Sequence, residues 1–158
     1  MRYFLYYIYH YFISNSRHGT HSPFVYALAD QVVYNKQYQA DASVSYPDRF
    51  QVPYQLLLHR ILYYLEVSSI GIGNSLDDKS VDAFWFNRVQ DEDIETILNL
   101  IAAGKIVVMD KPYSKYQFKA WKDLISDQRV TVSINLFHFG ILLKRDAQHK
   151  EDFLLRQS

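Results

Sequence analysis

The chain has 158 residues, no net charge, 49% hydrophobic residues and no cysteine. That length predicts one domain with room for a real core, and the apolar share excludes global disorder. The charge balance gives no general pull toward nucleic acid or membrane lipid, while the missing cysteines exclude disulfides and thiolate metal sites.

No apolar run approaches the ~18 residues of a spanning helix, and the N-terminus lacks the small-residue cleavage pattern of a signal peptide. A cytoplasmic protein without a transmembrane segment is expected. Fourteen tyrosines are the compositional oddity; rings with a polar tip suit half-buried faces and interfaces. Arg2 to Ser14 reads as a helix with Phe4, Leu5, Ile8 and Phe12 as its apolar stripe and Tyr3, Tyr6, Tyr7, Tyr9 and Tyr11 around it, a docking helix at an interface. Ser22 then Pro23 is an N-cap followed by proline at the first helical position. The helix it opens runs to about Tyr34, with Phe24, Leu28 and Val32 on one face. His18 and His21, in the turn before it, lack a nearby third ligand and read as turn-bonding residues rather than a metal site.

Asn35 to Val52 is a polar, turn-rich connection around Tyr46-Pro47-Asp48. Pro53 opens a helix to about Leu65, in which Tyr54, Leu56, Leu57, Leu58, Ile61, Leu62 and Leu65 leave little polar face, so it is expected to be largely covered. Val67 to Ile72 reads as the first strand and runs into Gly71-Ile72-Gly73-Asn74-Ser75. A glycine turn after a strand lets backbone amides approach a ligand, and the same residues serve equally as an ordinary turn. Asp82 to Phe86 reads as a second strand. The short link between them leaves no room for a packed crossover helix, so either the return is a bare loop or the first strand pairs unusually. Asp91, Glu92 and Asp93 are acids of a first helical turn, favoured there by the helix dipole, ahead of the helix Ile94 to Ala103.

Lys105 to Asp110 is the centre of the chain, an apolar run that ends in one carboxylate and reads as a strand buried on both faces. Helix, buried strand, helix is the unit of an open α/β sheet, whose ligands sit beyond the carboxyl ends of the strands. Asp110 occupies such an end. Ser114 is placed as the cap of a helix to about Ile125, with Phe118, Trp121 and Leu124 facing inward. Val130 to Ile134 and Leu136 to Leu143, separated only by Asn135, form a tight antiparallel hairpin or one bent strand. The stretch from Ala147 on reads as a polar tail.

Arg17-His18-Gly19-Thr20-His21-Ser22-Pro23-Phe24-Val25 resembles the RHG.HSPFV opening of a bacterial, largely Bacteroidetes, group of class I S-adenosylmethionine-dependent methyltransferases. Arg129 to Gly140 resembles that group's RVTVTIDLF..G ending, and His149 to Arg156 its KEHFVLR-like tail. The resemblance covers most of the chain and implies a Rossmann-like α/β sheet. Against the family's ELGTSLG turn, Gly71 stands at the acid, Gly73 at the first glycine and Asp77 at the second. About two βα units are missing after Ser75. Asn87 and Met109 replace aspartates of the IDGNH-like and DDIHWSK-like motifs. Each replacement removes an anionic oxygen, the donor that Mg²⁺ or Ca²⁺ prefers, so no metal is expected.

The expectation is a shortened methyltransferase-like domain: a helical segment over residues 1–35, an α/β core over 53–145 and a tail over 146–158. It has about five strands in the order first, second, Val107 strand, last, Val130 strand, with the last antiparallel. The resemblance implies S-adenosylmethionine as cofactor if the protein is active, held weakly by Gly71, Gly73, Asn74 and Ser75 with Asp110 as the catalytic candidate, and no cofactor otherwise. Three functions are open: a degenerate domain without catalysis, an active small-molecule methyltransferase with an atypical cofactor site, and a binding or structural module using its aromatic surface. The partners expected are a second copy or another protein at the tyrosine-rich helix or the first-strand edge, and no nucleic acid.

Overall fold

The computed structural model describes residues 2–14, 22–73 and 80–156. The His18–His21 turn and Asn74, Ser75 and Asp77 lie outside the described residues. Among the described residues the fold is an α/β arrangement of five α-helices on a six-stranded mixed sheet. The strands are β1 (Ile70–Ile72), β2 (Ala83–Phe86), β3 (Ile106–Asp110), β4 (Val132–Asn135), β5 (Phe139–Leu143) and β6 (Glu151–Leu154), and their order across the sheet is β1-β2-β3-β5-β4-β6. The pairs β1–β2, β2–β3 and β4–β6 are parallel; β5 runs against both its neighbours. The first five strands stand in the order read from the sequence, and the first pairs with the second in parallel register. The expected tail instead contributes a sixth strand. It is short, and its only strand signal is one alternation, Phe153 and Leu155 buried beside Asp152 exposed. Its neighbour explains why it pairs: Ser133 Oγ donates to Asp152 Oδ1 at 2.6 Å, and Leu155 N donates to Asn135 O.

The helices are α1 (Arg2–Ile13), α2 (Pro23–Leu28, continued by a π-helical turn Ala29–Val33), α3 (Gln55–Tyr64), α4 (Asp93–Ala102) and α5 (Phe118–Ser126). Ser22 caps α2 as expected, its Oγ accepting from Val25 N. Alternation along the strands splits the core in two. Ala83, Val108, Ile134, Phe139, Ile141 and Phe153 meet α2 and α3 on one face. Phe84, Phe86, Val107, Met109 and Leu142 meet α4 and α5 on the other. Trp121 of α5 lies against Gly140, where any Cβ would collide with its ring.

Other placements differ from the sequence reading too: β1 begins at Ile70 rather than Val67, and the turn between β4 and β5 takes residues 136–138 rather than Asn135 alone. α5 begins at Phe118, not Ser114; Ser114 instead sits in a turn whose carbonyl accepts from Gln117 N and Phe118 N. On α3 only one side is covered. Leu58, Ile61 and Leu62 are buried, whereas Leu56, two residues or about 200° round the helix from Leu58, is 76% exposed. On α1 the stripe is inverted: Phe4, Leu5 and Ile8 face outward, and Tyr3, Tyr6 and His10 face the body. Tyr6 stacks on Tyr113 with 6° between the planes, and Tyr3 packs on Phe137 at 4.8 Å. Aromatic pairs are worth about 0.5–1.5 kcal/mol beyond area burial, so ring stacking outweighs aliphatic hydropathy in choosing the docking face. The β1 edge is bonded by the chain's own connection, with Ser45 N donating to Ser68 O and Ile70 N donating to Ser45 O. No helix among the described residues is long and apolar enough to cross a membrane.

Candidate functional site

The carboxyl ends of β1, β2 and β3 present the residues that the sequence singled out. Gly71 and Gly73 belong to the α4/α5 side. A Cβ on Gly71 would press on Val81 at 3.3 Å and Phe84 at 3.5 Å, and one on Gly73 would fall inside the Phe86 ring. Gly73 N donates to Trp85 O at 2.8 Å and so extends the β1–β2 ladder. These glycines let neighbouring side chains close over the backbone, a packing use of a small residue.

Asp110 belongs to the other side. It ends β3, is 7% exposed, and is paired in register with Phe139 of β5. Its Oδ1 accepts from the Tyr54 hydroxyl at 2.6 Å, and that hydroxyl accepts from Trp85 Nε1 at 3.1 Å. Tyr54 reaches this position from the start of α3, with its ring stacked on Phe139 at 4.5 Å. Burial first, and then the bond to Asp110, push its phenol far up from the ordinary range; Tyr54 is a neutral donor. Lys111 Nζ stands 3.7 Å from Asp110 Oδ2. The Lys111 backbone lies in the left-handed region, φ 43°, with its N–H bonded to His138 O. His138 is held below its ordinary 6.5 by burial and by Lys111, against a smaller upward pull from Asp110. Tyr3 is pushed up to about 12 by burial and by the Asp110 charge.

The structure therefore does not bring Asp110 and the glycines together. They lie on opposite faces of the sheet and two strand spacings apart, ~10 Å. What gathers around Asp110 is a set that the sequence reading passed over: Tyr54, Trp85, Lys111 and His138. Tyr54 occupies an N-cap position, where Ser, Thr, Asp or Asn is preferred, and it caps nothing.

A cavity of about 630 Å³ opens beside this group, with Tyr54, Lys111 and His138 in its lining. A second, of about 460 Å³, lies on the other side of Lys111 beneath Tyr3 and Tyr113. Among the described residues, no three His, Asp or Glu side chains are grouped as metal ligands. No protein-family model matches the chain, no curated protein is similar to it, and no solved structure matches it.

Proposed function

We propose that this chain is a methyltransferase-like α/β domain that has lost methyl transfer and serves as a binding or structural protein. The observation that carries the reading is at Gly73. Class I cofactor binding needs backbone open to the nucleoside after the first strand. Here the Gly73 amide is spent on Trp85 and the Phe86 ring lies over its Cα. The candidate base gives a second support. Asp110 is covered, bonded to a neutral phenol and on the opposite face. A carboxylate held this way is an acceptor that fixes Tyr54, and its geometry points it at no open space beside Gly73. The order β1-β2-β3-β5-β4 with β5 reversed is in keeping with the methyltransferase descent that the sequence resemblance implies.

The test is calorimetric titration with S-adenosylmethionine and S-adenosylhomocysteine, with and without Mg²⁺. The expected result is no heat at millimolar ligand from a folded sample. Micromolar binding of either, about 8 kcal/mol, would overturn the reading in favour of an active enzyme with an atypical cofactor site.

A further inference from the structure

We infer that the larger cavity beside Tyr54 is a binding site for a small amphipathic anion, a carboxylate or phosphate carried on an apolar body. It goes beyond the reading above, because no residue near Gly73 takes part in it. The charge at the rim is one-sided. Lys36, Arg60 and Lys111 line the cavity, and no Asp or Glu is among its described lining residues. In a chain with no net charge, three cations around one concave space, with the single carboxylate of Asp110 against Lys111, leave a net positive local field that attracts an anion.

Two of the three are held in place. Arg60 donates to the carbonyls of Val32 and Asn35 and lies over the Tyr38 ring at 5.6 Å. Lys111 sits on the strained backbone that the His138 carbonyl fixes, and its ammonium lies 3.7 Å from Asp110 Oδ2, so the charge in excess at the rim comes from Lys36 and Arg60. Strained, over-determined backbone beside a concave space is a common mark of a ligand site. The remaining wall is apolar, from Val33, Leu56 and Leu57. Leu56, exposed on the uncovered side of α3, furnishes the apolar rim. The volume of about 630 Å³ is within the ~300–1,000 Å³ of small-molecule sites. A cationic rim over an apolar wall selects for charge and hydrophobic surface in one molecule.

The test is calorimetry of the full chain with octanoate and with octyl phosphate, against octanol and octylammonium. At least one anion is expected to bind one-to-one and about tenfold or more tighter than either uncharged or cationic counterpart; which anion does so tells carboxylate from phosphate. Lys36→Glu, on an exposed side chain, is expected to weaken it about fivefold or more, and Leu56→Ser to weaken it as well. Leu5→Ser, on the outward apolar face of α1, is expected to leave it unchanged. Equal binding of octanoate, octyl phosphate, octanol and octylammonium overturns the inference. So does wild-type affinity in Lys36→Glu, a loss caused by Leu5→Ser instead, or no heat from either anion up to about 10 mM.

Discussion

The two sides of the sheet close the same strand ends by opposite means. On the α4/α5 side the closure is apolar: among the described residues, Phe86 lies on a glycine. On the α2/α3 side it is polar: Trp85 donates to Tyr54, Tyr54 donates to Asp110, and Lys111, His138 and Tyr3 surround the carboxylate. The apolar closure tolerates no added volume but is indifferent to pH and salt. The polar closure tolerates shape changes better but depends on every hydrogen bond being made, because an unmade bond to a buried charge carries its full desolvation cost.

The strongest attack on this contrast is Gly73→Ala. Gly73 is not in the left-handed region, so the cost is steric and comes from the Phe86 ring. Overpacking of this kind costs about 1–3 kcal/mol, and the expected outcome is a stability loss in that range, read from a lower urea midpoint at constant slope and largely recovered in Gly73→Ala with Phe86→Leu. A neutral Gly73→Ala would mean that Phe86 is readily displaced and the space over the glycine is open to a ligand after all.

Next in size is Tyr54→Phe. It keeps the ring on Phe139 and removes the hydroxyl shared by Asp110 and Trp85. Leaving a buried carboxylate short of its donor costs about 1–3 kcal/mol, read as a lower urea midpoint at constant slope. In the Asp110→Asn background the same substitution is expected to cost less, since a neutral amide loses less than a carboxylate. Equal losses in both backgrounds would show that the hydroxyl's contribution does not depend on the Asp110 charge.

The fold was legible where period and punctuation agree. The run ending at Asp110 is a strand because four apolar residues between Gly104 and Pro112 allow little else, and α4, α5 and the β4–β5 hairpin follow from similar signals. What failed was the choice between competing faces. α1 carries apolar or aromatic residues all round, so periodicity marks a helix without saying that Tyr3, Tyr6 and His10 dock while Leu5 does not. β6 failed because its pairing is decided by a long-range partner, Ser133 on β4. The site was half legible. Asp110 stands out by its place at a strand end, and alternation along β3 puts it on the face opposite Gly71 and Gly73. Tyr54 was unreachable from spacing, since its contact with Asp110 joins residues 56 positions apart.

The smallest expected effect separates the sides by acid. α1 is pinned over the polar side by His10, which is 3% exposed; its Nε2 is 2.9 Å from the Leu155 carbonyl and its Nδ1 faces the Tyr113 hydroxyl at 3.4 Å. A carbonyl only accepts, so Nε2 carries the proton and Nδ1 is the accepting nitrogen. Burial chiefly, with help from His138 and Arg156 and against the pull of the Leu155 carbonyl, holds His10 below its ordinary 6.5; His138 is lowered too. For a base whose docked value is depressed, both docked and released states are neutral above about 6.5, and pH has no leverage there. As pH falls through 6.5 the released state takes up the proton first, so docking loses stability progressively down to the docked value. Hydrogen exchange, corrected for its intrinsic pH dependence, should therefore show α1 amides losing protection between pH 7 and 5. Those of β1 and β2, whose closure over Gly73 is made by Phe86 among the described residues, should keep theirs. His10→Gln, which keeps a donor for Leu155 without the charge change, should flatten the α1 response. Equal loss on both sides would mean that acid acts on the fold as a whole, and the division into a polar and an apolar closure would not describe its energetics.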